Sequence, residues 1–397
     1  MITGERTGAA PLRIALVLWS GKVGGAETFS VALARALRSS GIDARLVILT
    51  DAEPLAQRLL AADIPFVELR LKRSRAVLWH VRRFALTVGT GGMDGAILVA
   101  GGFLAFALRL GGYRGRIAAV EHGAVLQMGR MPLTTRLLRR IDRASGVYAV
   151  DVHVAVSDFI RRRINVGFRP VVTIPNGIDL YVYRPVVSPR VEDEFVIGCM
   201  SRLAPGKGVE DVLVAAEKVV RRGARLRIAG DGPERSRLER LAEQLGIQNH
   251  VEFAGWIQEE SDVAAFWSAC DVAVAAPNDW IESFGLVAVE AMACGVPVVA
   301  TRGGALSETV VHERTGFVVE PRDTEALTAA LLAYLDDASL VTAHGTAARE
   351  WCEQRFDIQR CANAYVRLFG EYPSADPTGD QAGTPKEANA FGSGVAP

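Results

Sequence analysis

The stretch Pro277 to Thr301, PNDWIESFGLVAVEAMACGVPVVAT, constrains this chain more than any other. Phe284, Leu286, Val287, Ala288, Val289, Ala291, Met292 and Ala293 are apolar around the whole circumference of a helix, so a helix here has to be buried on every side. Ser283 is placed to cap its N-terminus and Gly295 to take the position just past its last turn. Pro297 then opens the apolar run VPVVAT, the pattern of a parallel strand covered on both faces. The order predicted is strand, helix with an anion-ready N-terminus, strand.

The same alternation fills the chain. Strands are predicted at Arg13–Leu18, Arg45–Thr50, Ala96–Ala100, Arg116–Val120, Val152–Val156 and Val171–Ile174, with an amphipathic helix from Ala26 to Leu37 after the first. A second series runs Phe195–Met200, Ala224–Ala229, Val251–Ala254, Asp271–Ala275, Val296–Ala300 and Gly316–Val319, with a clear amphipathic helix at Val209–Arg221. Two doubly wound parallel sheets in tandem are the expected fold class, and 397 residues is long for one core. The segment from Ile174 through Pro185 and Pro189 to Glu194 is rich in turn residues and marks the boundary. The expected units are residues 1–187, residues 188–356, a last helix over 357–370 and a disordered tail over 371–397 with few apolar anchors.

Charge divides the chain at the same place. Residues 1–185 hold 26 Lys and Arg against 13 Asp and Glu, whereas the remainder holds 19 against 32. The first half is therefore expected to meet an anionic partner. Its basic residues concentrate in residues 70–86 and 130–143, where Arg side chains flank apolar positions, a pattern that suits an anionic membrane surface or a solvated face. No nucleic-acid-binding module is recognisable. No secretory signal or spanning segment is read, and the five cysteines include no Cys-x-x-Cys pair, so reduced core thiols and a cytoplasmic protein, peripheral on a membrane at most, are expected.

Several residues stand where chemistry is expected. Glu282 and Glu290 lie eight residues apart, about 12 Å along a helix axis, a span that suits a nucleoside diphosphate sugar. Backbone N–H groups at Gly285, Leu286 and Val287 would face its diphosphate, Glu282 its sugar and Glu290 its ribose. Taken singly, Glu290 reads equally well as a structural partner of a buried Arg, and Glu282 as a loop residue. Gly24 and Gly25 in SGKVGGAE let backbone approach a diphosphate or merely form a turn. His122 follows a strand at its C-terminal end, where doubly wound sheets put ligands. In SRLAPGKG, Arg202 and Lys207 read as a diphosphate clamp or as solvated loop charges.

Together these strings resemble the retaining glycosyltransferases of family 4, also called group 1. The likeness covers residues 12 to 369, and its strongest part is the two glutamates with seven residues between them in an FGL…EAMA.G.PVVAT setting. GG-x-E with Glu27, the EHG histidine, the Arg202 and Lys207 pair, NGID, GDGP and GGALSE also match; the departure is Ser283, where the family often has Gly. The resemblance implies a GT-B fold and retaining transfer, by a hexosyltransferase, of a sugar from a UDP- or GDP-linked donor to a hydroxyl acceptor. It places His122 and Glu282 at the reacting sugar and Gly24, Gly25, Arg202, Lys207, Gly285, Leu286, Val287 and Glu290 at the donor, while GGALSE reads mainly as structural. No cofactor beyond the substrate is implied, and the chain contains no Asp-x-Asp, so no metal is expected. The basic first half points to a lipid-linked or envelope glycan as acceptor. A GT-B sugar-nucleotide epimerase, a non-catalytic nucleotide-sugar or membrane scaffold, and a nicotinamide dehydrogenase are the rival readings. The last lacks the G-x-G-x-x-G fingerprint, although Asp51 stands where its ribose-binding acid would.

Overall fold

The computed structural model describes residues 11–22, 24–71, 80–90, 92–99, 103–122, 149–164, 169–186, 194–278 and 282–370. The expected tail, the basic stretch 130–143 and residues 72–79 of the stretch 70–86 lie outside the described residues.

Two parallel sheets follow one another. The first contains β1 (Arg13–Leu18), β2 (Asp43–Ile48), β3 (Phe66–Glu68), β4 (Gly95–Leu98), β5 (Arg116–Glu121), β6 (Val152–Ala155) and β7 (Val171–Thr173) in the order β3-β2-β1-β4-β5-β6-β7. The second contains β8 (Val196–Met200), β9 (Arg225–Ala229), β10 (Val251–Gly255), β11 (Val272–Ala275), β12 (Val298–Thr301) and β13 (Gly316–Val319) in the order β10-β9-β8-β11-β12-β13. Each order reverses direction once, between β1 and β4 and between β8 and β11. Those are the crevices in which an open α/β sheet binds its ligand.

The helices of the first unit are α1 (Gly25–Ser39), α2 (Leu55–Ala61), α3 (Val81–Gly89), α4 (Phe103–Leu110) and α5 (Asp158–Arg161). The second has α6 (Val209–Val220), α7 (Arg235–Gln244), α8 (Glu260–Ser268), α9 (Leu286–Ala293), α10 (Leu306–Thr309), α11 (Thr324–Asp336) and α12 (Ala338–Arg355), followed by α13 (Ile358–Gly370). The expected tandem of doubly wound sheets is what forms. Strand boundaries move by a residue or two, and β3 is an addition. It escaped notice because it is three residues long, half exposed at the sheet edge, and carries no apolar alternation.

One hydrophobic core is shared by the two sheets. It runs from Ile14, Leu16 and Phe29 through Ala288, Val289 and Met292 of α9 to Cys361, Ala362 and Tyr365 of α13. The last helix packs on α1, and Phe369 comes so close to Gly95 that a Cβ there would lie 2.4 Å from its ring. The five cysteines are buried and free, as their spacing implied.

The constraining stretch folds as a buried helix and strand, with one correction. Ser283 does not cap α9; Gly285 does, in the left-handed conformation at φ 90° and ψ 52°. The Ser283 carbonyl is instead held by the Ser157 hydroxyl at 2.7 Å, so the chain has not yet turned into the helix there. A Cβ on Gly285 would meet Leu306 at 2.5 Å, so the tight entry needs glycine twice over. At the other end Gly295 behaves as expected. With φ 77°, its N–H bonds Met292 at 3.0 Å while the Val296 N–H reaches Ala291 at 3.1 Å, a Schellman closure.

Candidate active site

The C-terminal ends of both sheets open onto one cleft of about 440 Å³. Its second-sheet wall is built at the β8/β11 crevice, with Cys199, Met200 and Ser201 on one side and Val274 to Pro277 on the other. Gly25, Ala26, His122 and Asn176 form the opposing wall. The crevice rule thus selects the same place that the motifs marked.

Local contacts explain how each side chain is held. After β8, Gly208 adopts φ 72°, and a Cβ there would sit 1.7 Å from the Ala276 carbonyl, so the SRLAPGKG loop is pressed against the end of β11. Asn278 fixes the arrangement, bonding Gly206 through its backbone N–H at 3.1 Å and the Glu210 and Asp211 carboxylates through its side-chain amide at 3.1 and 2.8 Å. Arg202 and Lys207 of this loop both line the cleft. Glu282 is held from behind by GGALSE, since its carbonyl accepts the Ala305 N–H at 2.8 Å and Gly304 packs directly on it.

Lys207 and Glu282 meet. Nζ and Oε1 lie 2.5 Å apart, with side chains 17% and 24% exposed, so the pair is partly withdrawn from water and open to the cleft. The sequence assigned one to a diphosphate and the other to a sugar, and gave no sign that they touch.

Two helix N-termini also converge. The first residue of α1, Gly25, faces the first residue of α9, Leu286, closely enough that a Cβ on Gly25 would lie 3.1 Å from Leu286 Cδ1. Each terminus presents unpaired backbone N–H groups and the positive end of a helix dipole. Lys207 and Arg202 line the same cleft, so its charge and its free N–H groups suit an anion. Gly24 is the N-cap of α1 but does not line the cleft; the Glu27 carboxylate folds back to within 3.0 Å of where its Cβ would be. Burial raises the Glu27 pKa above the usual carboxylate value.

His122 follows β5 and packs edge-on against Phe29, ring centres 5.9 Å apart. Its Nε2 has no hydrogen-bond partner among the described residues. Burial lowers its pKa to about 4 against the opposing pull of Glu121, so the imidazole is neutral at neutral pH and offers a hydrogen bond, not a charge.

Glu290 stands on α9 directly behind the residues of that helix that line the cleft. The first turn of α9, Leu286, Val287 and Ala288, lines the cleft, and Glu290 follows on the same helix. Only part of the stretch between the two carboxylates is helical, which is why the sequence spacing overestimated their alignment. Burial raises the Glu290 pKa to about 7, and nearby Glu260 adds to this; Tyr183 and the Trp267 indole favour the ionised form. The side chain stays partly exposed.

A clasp joins the two units beside the cleft. Arg162 bonds Glu308 at 2.8 Å, the other oxygen of that carboxylate accepts the Asp158 N–H at 2.9 Å, and Ser157 holds Ser283. GGALSE reads as structural in the sequence, and Ser157 and Arg162 belong to no motif there. Among the described residues no group of three or more His, Cys, Asp or Glu is arranged to hold a metal ion.

The sequence was compared with known proteins. A family model described as glycosyl transferases group 1 matches residues 185–351, and one described as glycosyltransferase family 4 matches residues 23–181. N-acetyl-alpha-D-glucosaminyl L-malate synthase of Bacillus anthracis is 30% identical over 280 residues, 68% of this chain and 71% of that protein. The chain belongs to the family 4, group 1 glycosyltransferases. Within that family it is also similar to a GDP-mannose-dependent alpha-(1-6)-phosphatidylinositol monomannoside mannosyltransferase of Mycobacterium tuberculosis, 34% identical over 256 residues. That match covers 59% of this chain and 64% of the relative, so the chain spans just under two thirds of its length. The GT-B fold is shared with HepE of Anabaena, solved with UDP and glucose, at TM-score 0.74 and 23% identity over 91% of this chain and all of that one. Sucrose-phosphate synthase of Thermosynechococcus elongatus gives TM-score 0.75 at 22% identity over 91% of this chain and 98% of that one.

Proposed function

We propose that this chain is a retaining hexosyltransferase that moves a sugar from a UDP- or GDP-linked donor in the cleft to a hydroxyl acceptor. The observation that carries the proposal is the approach of two helix N-termini in a cleft that Arg202 and Lys207 also line. Departure of the sugar leaves charge on the diphosphate, and fixed donors aimed at that charge lower the barrier. Arg202, Lys207, Gly25 and the N–H groups from Gly285 to Val287 supply them. His122 and Glu282 position the sugar, and Glu290 accepts hydrogen bonds from the ribose. These groups serve the leaving diphosphate without a metal ion. Retention is the family's stereochemistry and is part of the proposal.

Calorimetric titration with UDP and GDP tests the donor site. One of them is expected to bind, and failure of both to bind removes the assignment. Incubation with GDP-mannose or UDP-glucose and no acceptor then separates the rivals. Interconversion of the sugar nucleotide marks an epimerase, and binding without turnover across acceptors marks a scaffold.

A lipid-linked or envelope glycan is the proposed acceptor class, with the protein peripheral on the cytoplasmic face of an anionic membrane. The mannosyltransferase relative named for a phosphatidylinositol mannoside supports this. Among the described residues no single helix is long and apolar enough to cross a membrane. Within the first basic stretch, Phe84 and Ala85 of α3 are spent on the core with Val88, while Arg82, Arg83 and Leu86 face outward, as does Leu110 of α4. The protein is expected to sediment with anionic liposomes at low salt and to be released as salt rises. No sedimentation at low salt would refute the membrane proposal.

A further inference from the structure

Asn176 follows β7 in the string IPNGID, which the sequence offered as linker punctuation and as a family match with no role attached to the asparagine. It is 2% exposed, yet it lines the cleft. Its Oδ1 is shut off from solvent and takes no hydrogen bond from any described residue. A buried acceptor left in that state is a standing cost, and native proteins seldom carry one without a use.

The fold does not require this side chain. The joint with the last helix is made by its neighbours: a Cβ on Gly177 would meet Ile358 at 2.5 Å, and Ile178 exchanges backbone bonds with Phe356 and Ile358. Asn176 is held next to that joint and is left with an amide oxygen to offer.

The chemistry of the orphan selects its partner. An acceptor is satisfied only by a donor, and a diphosphate carries acceptors alone. The charged groups for the diphosphate stand on the opposite wall, at Arg202 and Lys207. The wall that holds Asn176 also holds His122, whose Nε2 is likewise buried without a described partner. Two neutral hydrogen-bonding groups on one wall match hydroxyls, as cations on the other match phosphate.

We propose that Asn176 is a ligand of the donor sugar, its side-chain amide oxygen accepting a hydrogen bond from a hydroxyl of the transferred hexose. The assignment rests on the nucleotide-sugar reading above and adds to it a residue that discriminates the sugar from the nucleotide that carries it.

The test is calorimetric titration of wild type and Asn176→Ala with GDP, GDP-mannose, UDP and UDP-glucose, with thermal melting as the check on folding. For the nucleotide that wild type binds, Asn176→Ala is expected to keep the affinity within about twofold while weakening the matching sugar nucleotide about tenfold, the worth of one hydrogen bond. Equal weakening of both ligands, or unchanged affinity for the sugar nucleotide, would overturn the assignment. A merely structural Asn176 moves both ligands together or neither, so the split between them is the discriminating readout. Should Asn176→Ala fail to fold, Asn176→Ser is put through the same pair of titrations, with the same split expected. Wild type that binds neither nucleotide defeats the functional reading itself. A wild type that binds while the variant shows no split defeats only Asn176.

Discussion

Lys207→Ala is expected to lower kcat for sugar transfer by about 100- to 1000-fold, the usual loss when one fixed donor to a developing oxyanion is removed. The larger part of the argument lies in its partner. Lys207 sits 2.5 Å from the Glu282 carboxylate, so truncation removes a cation from the diphosphate site and leaves an anion uncompensated in the same cleft. Donor binding must therefore suffer twice. The corresponding expectation for Glu282→Gln has opposite signs in two measurements. Lys207 no longer has to leave a carboxylate to reach the diphosphate, so affinity for UDP or GDP rises by up to about tenfold, while transfer falls because the sugar has lost its positioning group. The double variant recovers part of the nucleotide affinity that Lys207→Ala loses. Additive effects in this cycle, or a Glu282→Gln protein that binds nucleotide more weakly, would show that the ion pair is unrelated to the donor.

What the sequence disclosed, and what it withheld, follows from distance along the chain. The apolar circumference of α9, the closure at Gly295 and the alternation of both sheets are local patterns, and each is found where the periodicity put it. The GG-x-E, EHG, SRLAPGKG and ESFG strings are local too, and each supplies residues to the cleft. The contacts that make a site of these strings are not local. Ser157 with Ser283, Arg162 with Glu308, Lys207 with Glu282 and Gly25 with Leu286 each join segments more than seventy residues apart. Asn176 was missed for a related reason. An asparagine before glycine reads as a turn, and only its burial, with an unpaired oxygen in the cleft wall, distinguishes it. The start of α9 was misplaced because Ser283 has good capping chemistry, but its carbonyl is claimed by the other unit.

Glu290→Gln is expected to remove a pH dependence from stability and from donor binding at once. Glu290 ionises at about 7 instead of 4.5, because burial and the Glu260 carboxylate disfavour its charge more than Tyr183 and Trp267 favour it. The native state therefore holds this proton more tightly than the unfolded chain does. The stability that results is complete below pH 4.5 and is lost as pH rises through about 7, a change of at most about 3 kcal/mol. A neutral glutamine never ionises, so Glu290→Gln should match wild type in denaturant melts at pH 5 and exceed it at pH 8. Ribose hydroxyls donate hydrogen bonds to a carboxylate, so the donor selects the ionised form. At pH 6 only about a tenth of a group with a pKa near 7 is in that form. Wild-type affinity for GDP-mannose or UDP-glucose, whose diphosphates do not titrate in this range, should thus improve about tenfold from pH 6 to pH 8. Glu290→Gln should show a flat profile and bind about 10- to 100-fold more weakly than wild type at pH 8. A purely structural Glu290 would change the melts and leave both binding profiles alike, so the two roles separate in one pair of titrations.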